Sequence, residues 1–302
     1  MADRPRLISV VIPHFNQEDH LRTCLARLHG QQGCRAQVEI LVVDNGSRRS
    51  PEAVTAAFPG VRLLSETTPG PGPARNLGAS QAKGDVLAFI DADCHADPGW
   101  LAAIETAFTD PATQIIGGDV RVGYAVPGQP SFIEPYEAIY SYRNNEHIAE
   151  GYSGTGNLAT RPEILRHVGP FAGIGTAEDH DWGLRAGALG YRTRYVAEMI
   201  VYHPARASLS ELTQKWDRHI AHDDLHRART LVGTTKWLLK TVALLVSPLA
   251  EIPTILTSHR VSGGKERILA FACLCLIRGY RSYAMGRALT TNKAGSRSDW
   301  ER

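Results

Sequence analysis

Acidic residues follow two of the strands that the first half of the sequence predicts. Asp91-Ala92-Asp93 ends the apolar run 85–90, and Asp44 follows the run 38–43. Two carboxylates two positions apart can hold a hard divalent cation such as Mg²⁺ or Mn²⁺, which completes its shell with the phosphate oxygens of a substrate. Most such triplets are solvated turn residues, so the interpretation depends on the position of this one after a buried strand.

A second acidic group, Glu178-Asp179-His180-Asp181, opens a predicted helix. Carboxylates in the first turn of a helix are stabilised by the helix dipole, which is a sufficient reason for finding them there. A carboxylate at this place could also act as a general base, which must lie close to the hydroxyl group that it deprotonates. The spacing alone leaves both explanations open.

The elements around these residues predict a sheet that brings the carboxylates together. Apolar, β-branched runs at 7–13, 38–43, 61–64 and 85–90 alternate with helical patterns. Strands separated by single helices form right-handed crossovers and a mostly parallel sheet. Ligands of such sheets bind at the carboxyl ends of the strands. We therefore expect the three strand-end aspartates to meet at one edge of the sheet.

The C-terminal third is basic and helical. Residues 1–202 carry 17 Lys and Arg against 23 Asp and Glu, whereas residues 203–302 carry 16 against 8. A polar helix is predicted at 208–230, followed by apolar segments at 238–256 and 268–277. These segments are too short and too interrupted by proline to span a bilayer. They predict either helices at a membrane surface or a hairpin packed on the catalytic domain or on a second subunit.

Length and cysteine usage limit the class of protein. A chain of 302 residues suits one large domain, or one domain with an appendage. The five cysteines are odd in number and have no C-x-x-C spacing, which argues against a disulfide framework or a zinc site and favours a reducing compartment. The N-terminus shows no signal-peptide hydrophobic region, so we expect a cytoplasmic protein, free or at the inner face of the cell membrane.

The motifs together resemble those of family 2 glycosyltransferases, in order along the chain from about residue 7 to 203. The segments that carry the resemblance are 9–16 (SVVIPHFN), 42–47 (VVDNGS), 72–78 (GPARNLG), 89–93 (FIDAD), 156–159 (GNLA), 168–171 (VGPF) and 178–185 (EDHDWGLR). Each motif by itself is weak evidence for the family, but the occurrence of all of them in this order is specific for it.

The resemblance implies a fold and a reaction. The fold is the GT-A type, a Rossmann-like, mostly parallel α/β sheet with flanking helices over residues 1–205, with 206–302 as a basic helical extension. The reaction is an inverting transfer of one sugar from a nucleoside diphosphate sugar to a glycan or a lipid-linked glycan. A UDP-sugar is the expected donor, with GDP and dTDP left open. A divalent cation, Mn²⁺ or Mg²⁺, is the expected cofactor, and nucleic acid is not an expected partner.

The resemblance also assigns residues to the donor. It implies that Asp44 contacts the nucleobase near Pro13 and Phe15. Arg75 would contact the base or the diphosphate region. Asp91 would lie against the ribose or the water shell of the metal.

The resemblance also implies which residues bind the metal and which lie on the acceptor side. Asp93 would be the direct metal ligand, and His203 would complete the metal site. Asp179 would be the general base. The supporting or acceptor-side residues are Asn157, Glu178, Asp181 and Trp216.

Alternatives remain at the level of function and of the polar helix. The chain lacks a Gln-x-x-Arg-Trp sequence, so a processive polymer synthase is not expected. A polyprenyl-phosphate sugar synthase and a catalytically silent nucleotide-sugar-binding scaffold stay open. The polar helix carries four cations that could attract a diphosphate leaving group: Lys215, Arg218, Arg227 and Arg229. It also carries three histidines that could form a second metal site: His219, His222 and His226.

Overall fold

The computed structural model describes residues 5–126, 128–225 and 227–290. They form two compact units. The first unit holds residues 5–121 and 143–203, and the second holds the remaining described residues, including 122–142. Residues 291–302 of the expected C-terminal extension, and His226 of the polar helix, lie outside the described residues. The division of the chain into functional domains at residue 205 stays a prediction.

The elements are as follows. The strands are β1 (Leu7–His14), β2 (Gln37–Asp44), β3 (Val61–Ser65), β4 (Val86–Ile90), β5 (His95–Ala96), β6 (Ile115–Gly123), β7 (Asn157–Thr160) and β8 (Thr193–Pro204). The helices are α1 (Glu18–His29), α2 (Glu52–Thr55), α3 (Pro71–Gln81), α4 (Trp100–Ala107), α5 (Glu134–Tyr140), α6 (Asn144–Ala149), α7 (Pro162–Val168), α8 (Glu178–Ala188), α9 (Leu209–Leu225), α10 (Leu231–Ala250), α11 (Ile252–Thr257) and α12 (Gly263–Thr290).

One mixed sheet organises the first unit, with the strand order β3-β2-β1-β4-β7-β6-β8-β5. The first four strands are parallel to one another, as the alternation of strands and helices predicts. Beyond β4 the sheet turns antiparallel, because β7 pairs antiparallel with both β4 and β6, and β5 pairs antiparallel with β8. The parallel half is therefore the part in which the carboxyl ends of neighbouring strands lie side by side.

The parallel strands are buried on both faces, which explains their continuous apolar sequence. Every residue of β4 is buried. Alternate residues face two separate cores: Ile90 belongs to the core that α1 and α4 cover, and Phe89 belongs to the core that α3, α7 and α8 cover. Gly78 lets α3 approach the sheet closely, since a Cβ there would overlap the Val11 side chain. This close approach fixes the helix that carries Arg75.

Residues 131–149 are rich in Tyr and Glu and predict one helix, but the helix they form is not continuous. It is divided into α5, in the second unit, and α6, in the first. Between them Ser141 is extended and Tyr142 has a φ of 55°, in the left-handed region. The prediction of one helix was wrong because helical spacing does not register a short break, here residues 141–143, and a non-glycine residue such as Tyr142 rarely adopts the left-handed region.

The second unit is built from α5, α9, α10, α11 and α12. One core lies among α5, α9 and α12, and includes Tyr136, Leu212 and Ile277. A smaller core lies among α9, α10 and α12, around Trp237. Long stretches of α10 and α12 remain uncovered by the described residues: the most apolar windows are only 22% and 33% buried.

Two stretches of the second unit, Leu231–Thr257 and Gly263–Leu289, are long and apolar enough to cross a membrane by length and composition alone. Each stretch has 27 residues, and the most apolar 18-residue window within it has a mean hydropathy of 1.5 in the first stretch and 1.3 in the second. This corrects the expectation that both segments are too short. Pro248 lies inside α10 near its end, and Pro253 lies in the first turn of α11, where proline is tolerated, so the prolines do not shorten the helical stretch.

Candidate active site

The parallel strands bring the predicted aspartates to the same edge of the sheet. Asp44 is the last residue of β2, and Asp91 follows the last residue of β4. β1 lies between these strands and is parallel to both, so the two carboxyl ends point the same way. Asp93 is in the turn directly after Asp91.

Arg75, on α3, is the centre of the ion-pair network at this edge. Its side chain is only 3% exposed. Nη2 donates to Oδ1 of Asp91 at 2.6 Å, and Nη1 donates to Oε1 of Glu178 at 2.8 Å. Burial by itself lowers the pKa of the guanidinium, but the carboxylates of Asp91 and Glu178 outweigh it and raise that pKa above its usual value. Arg75 therefore remains a cation that joins two carboxylates from distant parts of the chain.

The contacts of Arg75 bear on its expected role toward the donor. Two of its three nitrogens are committed to carboxylates, and Nε is buried without a hydrogen-bond partner among the described residues. A direct contact of Arg75 with base or diphosphate stays a prediction. The opposite oxygen of Asp91 faces Gly156, where a Cβ would lie 2.6 Å from Oδ2, so a side chain there would displace the carboxylate.

Asp93 and His203 lie together, as the resemblance implies for a metal site. Nε2 of His203 lies 3.5 Å from Oδ2 of Asp93, and the Gln17 amide donates to the same oxygen at 3.4 Å. Oδ1 of Asp93 is buried and has no hydrogen-bond partner among the described residues. A buried carboxylate oxygen without a donor is costly, and a cation would satisfy it.

The donor set suits the expected cation. Asp93, Cys94 and His203 offer ligand atoms within 4.8 Å of one another. Carboxylate suits both Mn²⁺ and Mg²⁺, imidazole suits borderline transition metals, and the thiol of Cys94 suits softer metals. The residues present therefore fit a hard divalent ion held by Asp93 and His203. Which ion they hold stays a prediction.

Asp44 is held by His14, a residue that the sequence did not single out. The two residues are paired in register at the ends of β1 and β2, and Nδ1 of His14 lies 3.0 Å from Oδ1 of Asp44. The backbone N–H of Gln17 donates to Nε2 of His14, which assigns the proton of the ring to Nδ1. His14 is buried, so this bond orients the carboxylate. The sequence did contain a signal for this pair: a histidine at the end of one predicted strand and an aspartate at the end of the next.

The other residues assigned to the nucleobase lie next to this pair in sequence. Pro13 is the penultimate residue of β1 and is partly buried. Phe15 follows β1 and is 56% exposed. An exposed aromatic ring at a strand end can stack on a planar base. The contact of all three residues with a base stays a prediction.

Helix α8 carries the expected base and two supporting carboxylates. Asp179 is half-buried, and its Oδ1 accepts the backbone N–H of His180 at 2.7 Å. Asp181 accepts from Nε of Arg185 at 2.9 Å, and the same guanidinium donates to the carbonyls of Val168 and Pro170. Arg185 thus joins α8 to the preceding segment, and Asp181 orients this guanidinium; the supporting role of Asp181 in the reaction stays a prediction.

An aromatic group that the sequence did not indicate lies beside Asp179. The rings of His147 and Tyr152 stack at 4.9 Å, and His180 packs edge-on against Tyr152 at 4.8 Å. Burial raises the pKa of the Tyr152 hydroxyl, and the Asp179 carboxylate raises it further. Tyr152 therefore remains a neutral hydroxyl near the expected base.

Asn157 and Trp216 occupy different settings. The Asn157 side chain is fully buried; it accepts from the indole of Trp100 and donates to the carbonyls of Asp119 and Met199. These contacts favour support of the sheet over contact with an acceptor. Trp216 belongs to the second unit, where it packs at the edge of the core. Its contact with an acceptor sugar stays a prediction.

The chain is similar in sequence to known glycosyltransferases. The family described as Glycosyl transferase family 2 matches residues 9–174. Glycosyltransferase AglE of Haloferax volcanii is 30% identical over 215 residues, which is 69% of this chain and 70% of the relative. Pre-mycofactocin glycosyltransferase of Mycobacterium tuberculosis is 27% identical over 281 residues, which is 89% of this chain and 56% of the relative. The chain thus spans little more than half of that second relative.

Solved structures show the same fold. Mannosyltransferase PcManGT from Pyrobaculum calidifontis, solved with GDP-Man and Mn²⁺, has a TM-score of 0.55 at 15% identity, over 96% of this chain and 89% of that one. TarS of S. aureus, solved with UDP-GlcNAc, has a TM-score of 0.52 at 16% identity, over 93% and 90%. The expected GT-A-like α/β fold with C-terminal helices is confirmed. From its sequence match and its fold, this chain belongs to glycosyl transferase family 2 and is a glycosyltransferase.

Proposed function

We propose that this chain is an inverting, metal-dependent transferase that moves one sugar from a nucleoside diphosphate sugar to a glycan or lipid-linked glycan. The observation that carries the proposal is the network around Arg75. This buried cation ties Asp91, beside Asp93 and His203, to Glu178 in the first turn of α8. The expected metal ligand and the expected base, Asp179, are thereby held by one set of contacts.

The donor is a nucleotide sugar. Two proteins of the same fold were solved with GDP-Man and with UDP-GlcNAc, which supports this class of donor and leaves the base of the nucleotide open. We keep a UDP-sugar as the first donor to test. The ordered Asp44, with Pro13 and Phe15 beside it, is the proposed contact for the base.

Asp93 and His203 are the proposed ligands of a Mn²⁺ or Mg²⁺ ion. The buried, unpartnered Oδ1 of Asp93 supports this assignment, and so does the Mn²⁺ in the PcManGT structure. Such an ion neutralises the negative charge that develops on a diphosphate leaving group.

Asp179 is the proposed general base. It takes the proton of an acceptor hydroxyl while the oxygen forms a bond to the anomeric carbon of the donor sugar. The bond between that carbon and the diphosphate oxygen breaks, and the nucleoside diphosphate leaves with the electron pair. A single displacement inverts the anomeric configuration. Glu178 and Asp181 hold α8 in place through Arg75 and Arg185.

The second unit is proposed to associate with the inner surface of the cell membrane. α10 exposes a row of large apolar side chains: Leu238, Leu239, Val242, Leu245, Val246 and Leu249. Three arginines of α12, Arg278, Arg281 and Arg287, favour a position at the anionic surface over passage through the bilayer. Association of two copies through the same face is the competing outcome.

The test is a donor screen with the purified full chain. Hydrolysis and transfer from UDP-, GDP- and dTDP-sugars are measured with Mn²⁺, Mg²⁺ or EDTA, and NMR reports the anomeric configuration of the product. We expect turnover of one donor, dependent on the ion, with inversion. Retention of configuration would contradict the mechanism. Binding of a donor without any turnover would favour a silent scaffold.

Two variants test the base. Asp179→Asn keeps the shape of the side chain and removes the proton acceptor, so we expect transfer to fall by about 10²–10⁴-fold. Glu163→Gln, in the first turn of α7, is the matched control and leaves the rate unchanged. Undiminished turnover by Asp179→Asn would contradict the assignment.

A further inference from the structure

Two cationic side chains of the second unit contact the same aromatic ring. The guanidinium carbon of Arg281 lies 3.7 Å from the centre of the Trp216 ring, and Nζ of Lys215 lies 5.6 Å from the same centre. Arg281 is on α12, and the other two residues are on α9. Each contact with the ring is favourable, but two positive charges so close together repel each other.

The charge of this cluster is not balanced within the unit. Among residues 122–126, 128–142, 204–225 and 227–290, neither Lys215 nor Arg281 has a carboxylate within ion-pair distance, and Nε of Arg281 is buried without an acceptor. Two carboxylates act on these cations: Glu137 on Lys215 and Asp223 on Arg281. Glu137 is fully buried and is already bonded to the side chain and backbone of Arg206, and Asp223 is paired with Lys240, so both carboxylates are engaged with other cations.

The titration of Lys215 reflects this imbalance. The pKa of Lys215 is lowered to about 8, and burial is the largest cause. Arg206, Arg218 and Arg281 contribute to this lowering, and Glu137 opposes it. Burial and the neighbouring Arg278 also lower the pKa of Arg281. A solvated basic surface would not desolvate its cations in this way, so the arrangement favours a site that awaits an anion.

We propose that Lys215 and Arg281, which both contact the ring of Trp216, form a binding site for a phosphate or diphosphate group. A guanidinium can bind two phosphate oxygens at once, and a lysine adds a point charge. The bound group would supply the missing acceptor of Arg281 Nε. Arg206 and Arg218 raise the local positive potential without being required as ligands.

The phosphate of a lipid-linked acceptor is the source that this unit favours. The same unit exposes apolar side chains on α12 and α10, such as Ile268 at 70% and Leu249 at 65%, which suit a lipid chain or bilayer. The choice of a lipid-linked source rests on the proposed function, whereas the binding of phosphate does not. A free diphosphate, such as the end of a released nucleotide, has the same chemistry and is distinguished by experiment.

The experiment measures binding with the full chain, without donor or metal. One arm titrates inorganic diphosphate by calorimetry. The other arm floats the protein on phosphatidylcholine vesicles with and without polyprenyl phosphate. We expect Lys215→Gln and Arg281→Gln each to weaken binding by about tenfold or more, because each removes a charge-assisted hydrogen bond. The matched control, Lys236→Gln, removes one exposed charge of α10 and changes binding by less than about twofold.

A second readout keeps the test valid if a variant folds poorly. The wild-type chain is reductively methylated with ¹³C, and the pKa of Lys215 is followed by NMR; we expect it to rise from about 8 when the phosphate ligand is added. Binding in the vesicle arm assigns a lipid source, and binding of diphosphate alone assigns a free one. Absence of binding in both arms, or equal loss in Lys236→Gln, overturns the site. Since no sugar transfer is measured, this failure would leave the proposed reaction untouched.

Discussion

Nη1 of Arg75 lies 2.8 Å from Oε1 of Glu178, although 103 residues separate them in the chain. The same guanidinium holds Asp91 at 2.6 Å. A cation buried in the first unit therefore joins the first turn of α8 to the end of β4. The position of Asp179, the next residue of α8, depends on this contact.

Removal of the Arg75 charge should damage both stability and transfer. Arg75→Met leaves two partly buried carboxylates without their partner, and the loss of one member of a buried ion pair costs about 3–5 kcal/mol. Urea unfolding measures the stability, and transfer kinetics measure kcat. Arg62→Met is the control: this arginine bridges Glu39 but is 37% exposed, so we expect a loss below about 1 kcal/mol. Equal losses in both variants would contradict a central role for Arg75.

Substitution of the proposed metal ligands should weaken ion binding. We expect Asp93→Asn and His203→Ala to reduce Mn²⁺ affinity by at least about tenfold, because each removes a ligand and even second-shell partners are worth 10–100-fold. Electron paramagnetic resonance of free Mn²⁺ measures this affinity without activity. His167→Ala, a histidine bonded to Tyr191, is the control that should keep full affinity. Normal Mn²⁺ binding by both site variants would exclude this ligand pair.

His14 should act on the donor through Asp44. His14→Ala removes the buried donor to the Asp44 carboxylate, so we expect the Kd of the nucleotide to rise by about tenfold, from a hydrogen bond worth about 1–3 kcal/mol. His14→Asn can still donate and should rescue part of this loss, whereas a purely structural role would not be rescued. Mn²⁺ affinity should stay unchanged. A Kd that stays at the wild-type value in His14→Ala would show that the ordering of Asp44 does not matter for binding.

Lys215 should make stability depend on pH in the alkaline range. Its pKa is about 8 in the folded chain against a usual 10.5, so between these values the unfolded state binds more protons and stability rises with pH. Lys215→Met removes this dependence. We expect the variant to gain most over the wild type below pH 8 and to lose the advantage as the pH rises toward 10.5. Chemical unfolding across this range measures the difference, and a constant offset would contradict it.

The exposed face of α10 should control membrane association. The Leu245 and Val242 side chains are 59% and 56% exposed, and burial of such a side chain in an apolar phase is worth about 1.5–3 kcal/mol. We expect the double substitution Val242→Gln/Leu245→Gln to reduce vesicle flotation by at least about tenfold. Leu189→Gln, at a leucine of the first unit that is 49% exposed, is the control. Unchanged flotation, with a dimer that the substitution dissociates, would assign this face to a second copy instead.

Local patterns were sufficient for the parallel half of the sheet. The apolar runs at 7–13 and 85–90 correspond to β1 and β4, because a strand buried on both faces must be continuously apolar. The acidic residues after the runs 38–43 and 85–90 were visible because they directly follow an apolar strand. The antiparallel pairing of β7 and the break around Tyr142 were not visible, since neither leaves a periodic signal.

The sequence by itself determined the parallel strands, the strand-end aspartates, the acidic start of α8 and the family, because each depends on short stretches of consecutive residues. Tertiary structure alone decided which charges meet. The packing of the fold pairs Arg75 with Glu178, brings His14 within hydrogen-bond distance of Asp44, and places the guanidinium of Arg281 over the Trp216 ring. Such contacts join residues that are distant in the chain, and they depend on strand register and helix packing. The type of a side chain determines which partners it can bind, and the packing of the fold determines which of those partners lies next to it.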